Sequence, residues 1–221
     1  MTLSRLVFLG APGAGKGTQA ERACRDHGLV HLSTGDLLRS AVKQGTPSGV
    51  AAKGFMDKGE LVPDEVVFGV LFERLDEGID TFLLDGFPRN LAQAEGLDER
   101  LAEAGKPLDG VIELDVPSSV IVGRITGRRV CKACGATYHV EFRPTSEDGV
   151  CDACGGDTHQ RSDDTEAVIA KRLEVYEEQT APLKEYYERK GLLVVVNGDR
   201  PMDAVEASID AALSEGERVD G

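Results

Sequence analysis

The chain has no apolar run near the ~18 residues that a helix needs to cross a bilayer, so a helical membrane span is not expected. Its opening "MTLSRLVFLG" offers only "LVFL" before the glycines begin, too little for the apolar centre of a secretory leader. A cytoplasmic protein with reduced thiols is therefore expected, which argues against structural disulfides. Positive charge is also short, with 25 basic against 39 acidic residues and a formal net charge of −14. Such a surface repels nucleic acid unless a local basic patch overrides it, so no nucleic-acid or membrane partner is expected. Solubility or a saline surrounding accounts for the acid. Internal repeats and low-complexity tracts are absent too, which excludes solenoids and disordered linkers.

Strand and helix signals alternate along what remains. "SRLVFLG", "TFLLDG", "GVIELDV" and "LLVVVNG" read as strands, with a weaker one in "LVHLS". Helical stretches lie between them at 16–27, 64–75, 90–103 and 118–126. Near-continuous apolar strands, each followed by a helix, predict an α/β fold with a parallel sheet covered on both faces. Two regions break the alternation. Residues 33–62 read as an inserted helical segment, and 127–164 have little helical periodicity. Beyond them, 163–189 reads as one long helix, opened by a capping box of Asp163 and Glu166 and bent near Pro182. The polar tail at 214–221 is expected to fray.

"GAPGAGKGT" follows the first strand and opens the first helix. In that context Gly10, Gly13, Gly15 and Gly17 let the backbone fold tightly, so that successive N–H groups of the loop, Ala14 among them, can face phosphate oxygens at a helix N-terminus. Lys16 can reach the outer phosphates. The hydroxyl expected directly after the lysine arrives one place later, as Thr18.

In mid-chain, Cys131 and Cys134 are separated from Cys151 and Cys154 by 16 residues, a spacing that matches paired CxxC zinc knuckles. Gly135 and Gly155 follow the knuckles and can take the left-handed turn that brings backbone N–H groups toward the thiolates. Four cysteines close a tetrahedron, so His139 and His159 are not needed and the zinc is structural. Arg128, Arg129 and Lys132 are placed in sequence to offset its negative charge. Cys24 reads as a packed core thiol.

"STGDLLR" at 33–39, "GELV" at 59–62, "LLDGFPRNLAQ" at 83–93, "GRRV" at 127–130, "YHV" at 138–140 and "RSDD" at 161–164 together resemble adenylate kinase, in its long form with a zinc-binding lid. The resemblance runs from about Ser4 to about Leu213. It implies a P-loop nucleoside monophosphate kinase fold: a core at 1–32, 63–126 and 165–221, a monophosphate-binding domain at 33–62, and a lid at 127–164 that closes over ATP. It implies reversible Mg²⁺-dependent transfer, ATP and AMP giving two ADP, by a monomer. AMP would be held by Thr34, Arg39, Glu60, Leu61, Val62, Gly86, Phe87, Pro88, Arg89, Gln93, Arg161 and Arg172. ATP would meet the phosphate loop, Arg128, Thr137, Tyr138 and the backbone of Arg200. Asp85 and Thr18 would hold Mg²⁺ indirectly, and Asp163 and Asp164 would orient lid arginines. Asn90 stands where many relatives have threonine.

This chemistry needs no general base. The acceptor is a phosphate oxygen, largely ionised at neutral pH given a second pKa near ~6. None of the four histidines is assigned a catalytic role. Fixed cations are needed instead, and Lys16, Arg89, Arg124, Arg128, Arg161 and Arg172 are the catalytic candidates. Gln93 can both donate to and accept from an adenine edge. Two alternatives stand beside this reading: a kinase for another monophosphate or with a GTP donor, and a zinc-ribbon binding module that uses the phosphate loop as a switch.

Overall fold

The computed structural model describes residues 3–215. Its centre is a sheet of five parallel strands, β1 (Arg5–Leu9), β2 (Val30–Ser33), β3 (Phe82–Asp85), β4 (Gly110–Asp115) and β8 (Leu193–Asn197), in the order β2-β3-β1-β4-β8. Strand β1 explains why both faces are covered. Leu6 and Phe8 project into one apolar cluster with α1 (Lys16–His27), α6 (Ser118–Thr126) and α9 (Met202–Glu215), while Val7 and Leu9 join another. That second cluster takes in α4 (Asp64–Leu75), α5 (Leu91–Glu103) and α8 (Leu183–Arg189). A strand buried on both sides has no polar face to show, which is why these segments read as unbroken apolar runs.

Because β1 sits between β3 and β4, chain connections leave it in opposite directions, and a crevice opens at the carboxyl ends of the strands. The phosphate loop lies there, directly after Leu9. Two excursions hang over the same end. One is the helix pair α2 (Thr34–Gln44) and α3 (Pro47–Lys58), started by the side-chain caps of Ser33 and Thr46. The other is a small antiparallel sheet of β5 (Arg128–Cys131), β6 (Thr137–His139) and β7 (Thr158–His159), ordered β6-β5-β7. Its buried cluster consists of Cys131, Tyr138 and Cys151, with Ala136 packed against it.

The long helix expected at 163–189 is three pieces. Helix α7 (Glu166–Val175) is capped by Thr165, whose hydroxyl accepts from the N–H of Val168 at 3.4 Å. A wide π turn follows at Tyr176–Thr180, and α8 starts after Pro182, which has no N–H to continue the ladder. Asp163 therefore does not cap, and the capping box is not formed. Ser214 and Glu215 belong to α9, while the rest of the expected tail, 216–221, lies outside the described residues.

Candidate active site

The loop between β1 and α1 turns tightly enough that Gly13 adopts φ 82°, and a Cβ there would meet Ile125 Cγ1 at 2.6 Å. Only glycine fits. Lys16 Nζ donates to the carbonyls of Gly10 and Ala11 at 2.7 and 3.0 Å, so the loop closes on its own lysine. Burial pushes the Lys16 pKa down to about 8, with Arg89, Arg172 and Arg128 adding repulsion that Asp85 partly offsets.

Gly13 to Thr18 line one cavity of about 730 Å³, together with Arg39, Arg89, Arg124, Arg128, Arg161, Arg172, Thr137, Tyr138 and Arg200. All six arginines expected to act on phosphate thus face one space. Their crowding is costly. Burial, with Arg39 and Arg128 nearby, brings the Arg161 pKa down to about 10; burial also lowers that of Arg172 to about 10, with Arg89 and Arg128 pressing in the same direction. Carboxylates hold the cluster together. Asp164, with no exposed surface, accepts from Nε of Arg128 at 2.8 Å and from its Nη2, and lies 3.8 Å from Arg172. Asp163 accepts from Arg172 at 3.3 Å. With Asp163 turned to Arg172 and Asp164 to Arg128, the cap falls to Thr165.

Asp85 ends β3 beside the loop, its carboxylate held ionised against burial by His31 and by Lys16. His31 Nε2 lies 3.6 Å from Asp85. Burial opposes charge on His31, but the carboxylate prevails and raises its pKa. Arg124 is tied by Nη1 to the carbonyl of Gly198 at 3.1 Å and by Nη2 to Asp199 at 3.2 Å. The Arg200 side chain turns away to Ser208. Tyr138 borders the cavity, but its hydroxyl meets Cys151 Sγ at 3.3 Å.

A second, smaller slot of about 20 Å³ is lined by Thr34, Leu38, Leu61, Val62, Val67, Gly86, Arg89 and Gln93. Leu61, Gly86 and Arg89 border both spaces, and Pro88 borders the larger. Phe87 is wholly buried, packed edge-on against Phe68 at 5.7 Å, so its side chain serves the core. Glu60 borders neither space; its N–H closes α3 on the carbonyl of Phe55. Two acids missed in the sequence matter here. Asp36 accepts from Arg39 at 2.7 Å and from Arg161 at 3.3 Å, joining α2 to the segment after β7. Its i,i+3 spacing to Arg39 was a visible signal. The other, Asp64, accepts from Gln93 Nε2 at 2.7 Å, a pairing no local spacing announces.

The four knuckle sulfurs lie within 4.8 Å of one another, with Cys131 to Cys154 at 3.5 Å and Cys134 to Cys151 at 3.6 Å. A tetrahedral Zn–S₄ site has S···S edges of about 3.8 Å, so the donor set fits zinc. Disulfide bonds, at about 2.05 Å, are not formed. Gly135 and Gly155 adopt φ 78° and 71°, the turn the knuckles require. The Tyr138 hydroxyl holds the Cys151 pKa down to about 6, and the N–H of Cys134 lowers that of Cys131. His139 is not a ligand: its Nδ1 accepts from the N–H groups of Glu141 and Phe142. The cations expected beside the thiolates are engaged elsewhere, Arg128 on Asp164, Arg129 on the carbonyls of Thr126 and Arg128, and Lys132 near Asp157. Backbone and tyrosine hydrogen bonds take their place.

A family model described as adenylate kinase matches residues 8–192. The chain is 54% identical over 211 residues to the adenylate kinase of Carboxydothermus hydrogenoformans, covering 95% of this chain and 99% of that protein. It is 55% identical over 211 residues to that of Thermodesulfovibrio yellowstonii, with 95% and 98% covered. The adenylate kinase of Bacillus subtilis is 52% identical over 210 residues, with 94% and 97% covered. A phosphate loop, six convergent arginines and this near full-length likeness lead to one conclusion: the chain belongs to the adenylate kinase family.

Proposed function

We propose that the 730 Å³ cavity transfers the terminal phosphoryl group of Mg-ATP to AMP, with the residues acting as follows. The observation that carries this reading is the meeting of Lys16 and six arginines at the carboxyl end of a parallel sheet. The loop N–H groups, Lys16 and Arg128 hold the phosphates of ATP. Arg39, Arg89 and Arg161 take the phosphate of AMP, and Arg172 stands between the two. Mg²⁺ comes with ATP, and Asp85 and Thr18 hold it through water. As the donor bond loosens, negative charge spreads over the moving phosphoryl oxygens, and fixed guanidiniums stabilise it without rearranging. No residue takes a proton, since the attacking oxygen carries none.

Residues 33–62 act as the AMP domain and 127–164 as the lid, on a core of 1–32, 63–126 and 165–221. Zinc at Cys131, Cys134, Cys151 and Cys154 stiffens the lid, which excludes water so that ATP is transferred and not hydrolysed. A monomer in the cytoplasm suits the acidic surface; among the described residues no helix is long and apolar enough to cross a membrane.

The test is transfer from Mg-ATP to AMP, GMP, CMP and UMP in parallel, with products resolved by chromatography and Lys16→Ala as control. ADP from AMP alone, lost in the mutant, is expected. Activity on another acceptor would point to a different monophosphate kinase. Silence from a folded, zinc-loaded protein would favour the binding module.

The depressed Lys16 pKa gives a pH prediction. Lys16 must be charged to hold phosphate, so kcat/KM for Mg-ATP should fall above about pH 8, approaching tenfold per unit. Bound ATP favours the charged lysine, so kcat should hold to higher pH. Stability moves the other way: between pH about 8 and the model-peptide value of 10.5 the unfolded chain binds the extra proton, so this group favours folding increasingly as pH rises. A kcat/KM profile that stays flat to pH 10 would contradict the assignment.

A further inference from the structure

We propose that Asp64 sets base specificity by fixing the amide of Gln93 in the one polarity that suits adenine. The proposal rests on Gln93 being the residue that reads the base. Gln93 stands in the first turn of α5 with 1% of its surface exposed. Its Oε1 accepts from the backbone N–H of Arg89 at 2.7 Å, and its Nε2 donates to Asp64 Oδ1 at 2.7 Å. A backbone N–H can only donate and an ionised carboxylate can only accept. Turning the amide over would set N–H against N–H and oxygen against carboxylate, at two contacts partly shielded from water. The orientation is therefore locked from its two ends.

Asp64 is itself held. Asn90 Nδ2 donates to its two oxygens at 3.0 and 3.3 Å, while Asn90 Oδ1 accepts from the N–H of Gln93 at 2.8 Å and caps α5. A threonine at 90 has a single, shorter O–H donor in place of this amide, so the hold on both carboxylate oxygens comes with the asparagine. After these commitments Gln93 retains one N–H and one oxygen lone pair, and it lines the slot with Thr34, Leu38, Val62 and Val67. Adenine shows a 6-amino donor beside a ring-nitrogen acceptor, which matches that pair. A 6-oxopurine replaces the donor by an acceptor and could be met only by the turned amide. Asp64 touches neither the base nor the reacting atoms; it positions the residue that does.

Inosine monophosphate is the suitable probe, because its base carries the 6-oxo group without the extra amino group of guanine. In Asp64→Asn the new amide can offer Gln93 either an oxygen or an N–H, which removes one of the two locks. The ratio of kcat/KM for AMP to that for inosine monophosphate should fall by about tenfold, the worth of one hydrogen bond, carried by KM for the acceptor. In a Gln93→Leu background the same substitution should change the ratio by less than about twofold, because it acts through Gln93. An unchanged ratio in Asp64→Asn, or the same change in both backgrounds, would overturn the proposal. Asn90→Thr, which leaves Asp64 in place, should shift the ratio in the same direction by less and serves if Asp64→Asn does not fold; no shift there would then count against it. Wild-type protein inactive on AMP would instead refute the base reading itself.

Discussion

Replacing Arg172 with alanine should lower kcat for transfer from Mg-ATP to AMP by about three orders of magnitude, or ~4 kcal/mol of transition-state stabilisation. The melting temperature should move by only a few degrees. The two expectations have one cause. Arg172 sits among Arg89, Arg128 and Lys16, and its pKa, lowered to about 10, says that the folded protein bears its charge at a cost. Removing it relieves that crowding, and Asp164 keeps Arg128 as partner. Asp163 loses its guanidinium, a modest penalty at a site partly open to water. A third readout follows. With one cation fewer beside it, Lys16 should hold its proton longer, so the alkaline fall of kcat/KM should move to higher pH. Steady-state kinetics across pH and calorimetry on the same preparation check all three. A large drop in melting temperature alongside the loss of rate would make Arg172 a structural residue.

That arginine shows what a sequence can and cannot disclose. Its place in the site was legible only through the family resemblance, which runs from about Ser4 to about Leu213; on composition alone it is one charged residue on a helix. The phosphate loop was legible outright, since glycines at that spacing before a lysine have few other uses. So were the knuckles and the doubly covered sheet. Local rules failed where tertiary contacts outbid them. Asp163 and Glu166 satisfy the spacing of a capping box, yet Asp163 and Asp164 turn inward to guanidiniums and Thr165 caps α7 instead. Arg128, Arg129 and Lys132 adjoin the knuckles in sequence but are spent on other partners. Strands β5, β6 and β7 are two to four residues long, too short to show a period. The pairing of Asp64 with Gln93 joins residues 29 apart and leaves no trace in either segment.

Cys131→Ser should lower the melting temperature by about 10 °C, corresponding to roughly 3–5 kcal/mol for a chain of this size. Turnover at 25 °C should fall by less than about tenfold, because no knuckle residue holds a reacting atom. The reason lies in how little else supports the small sheet that carries the knuckles. Cys131 and Cys151 are each 2% exposed and supply two of the three buried side chains in its apolar cluster, with Tyr138 as the third. A chelator should reproduce the loss in wild-type protein and do little further to the mutant. Zinc content by emission spectroscopy, measured beside the thermal scan, separates the outcomes. An unchanged melting temperature, with zinc absent from both proteins, would sink the structural role.

The two parts of the molecule should also respond differently to cold. Burial of apolar surface loses strength on cooling, so the sheet and its flanking helices, built from two extensive apolar clusters, soften as temperature drops. With zinc on its four cysteines, the small sheet of β5, β6 and β7 would have little apolar cohesion to lose. It should stay rigid on a body that is becoming more pliant, and the temperature dependence of the proposed closure would then be written in the segments that join the two.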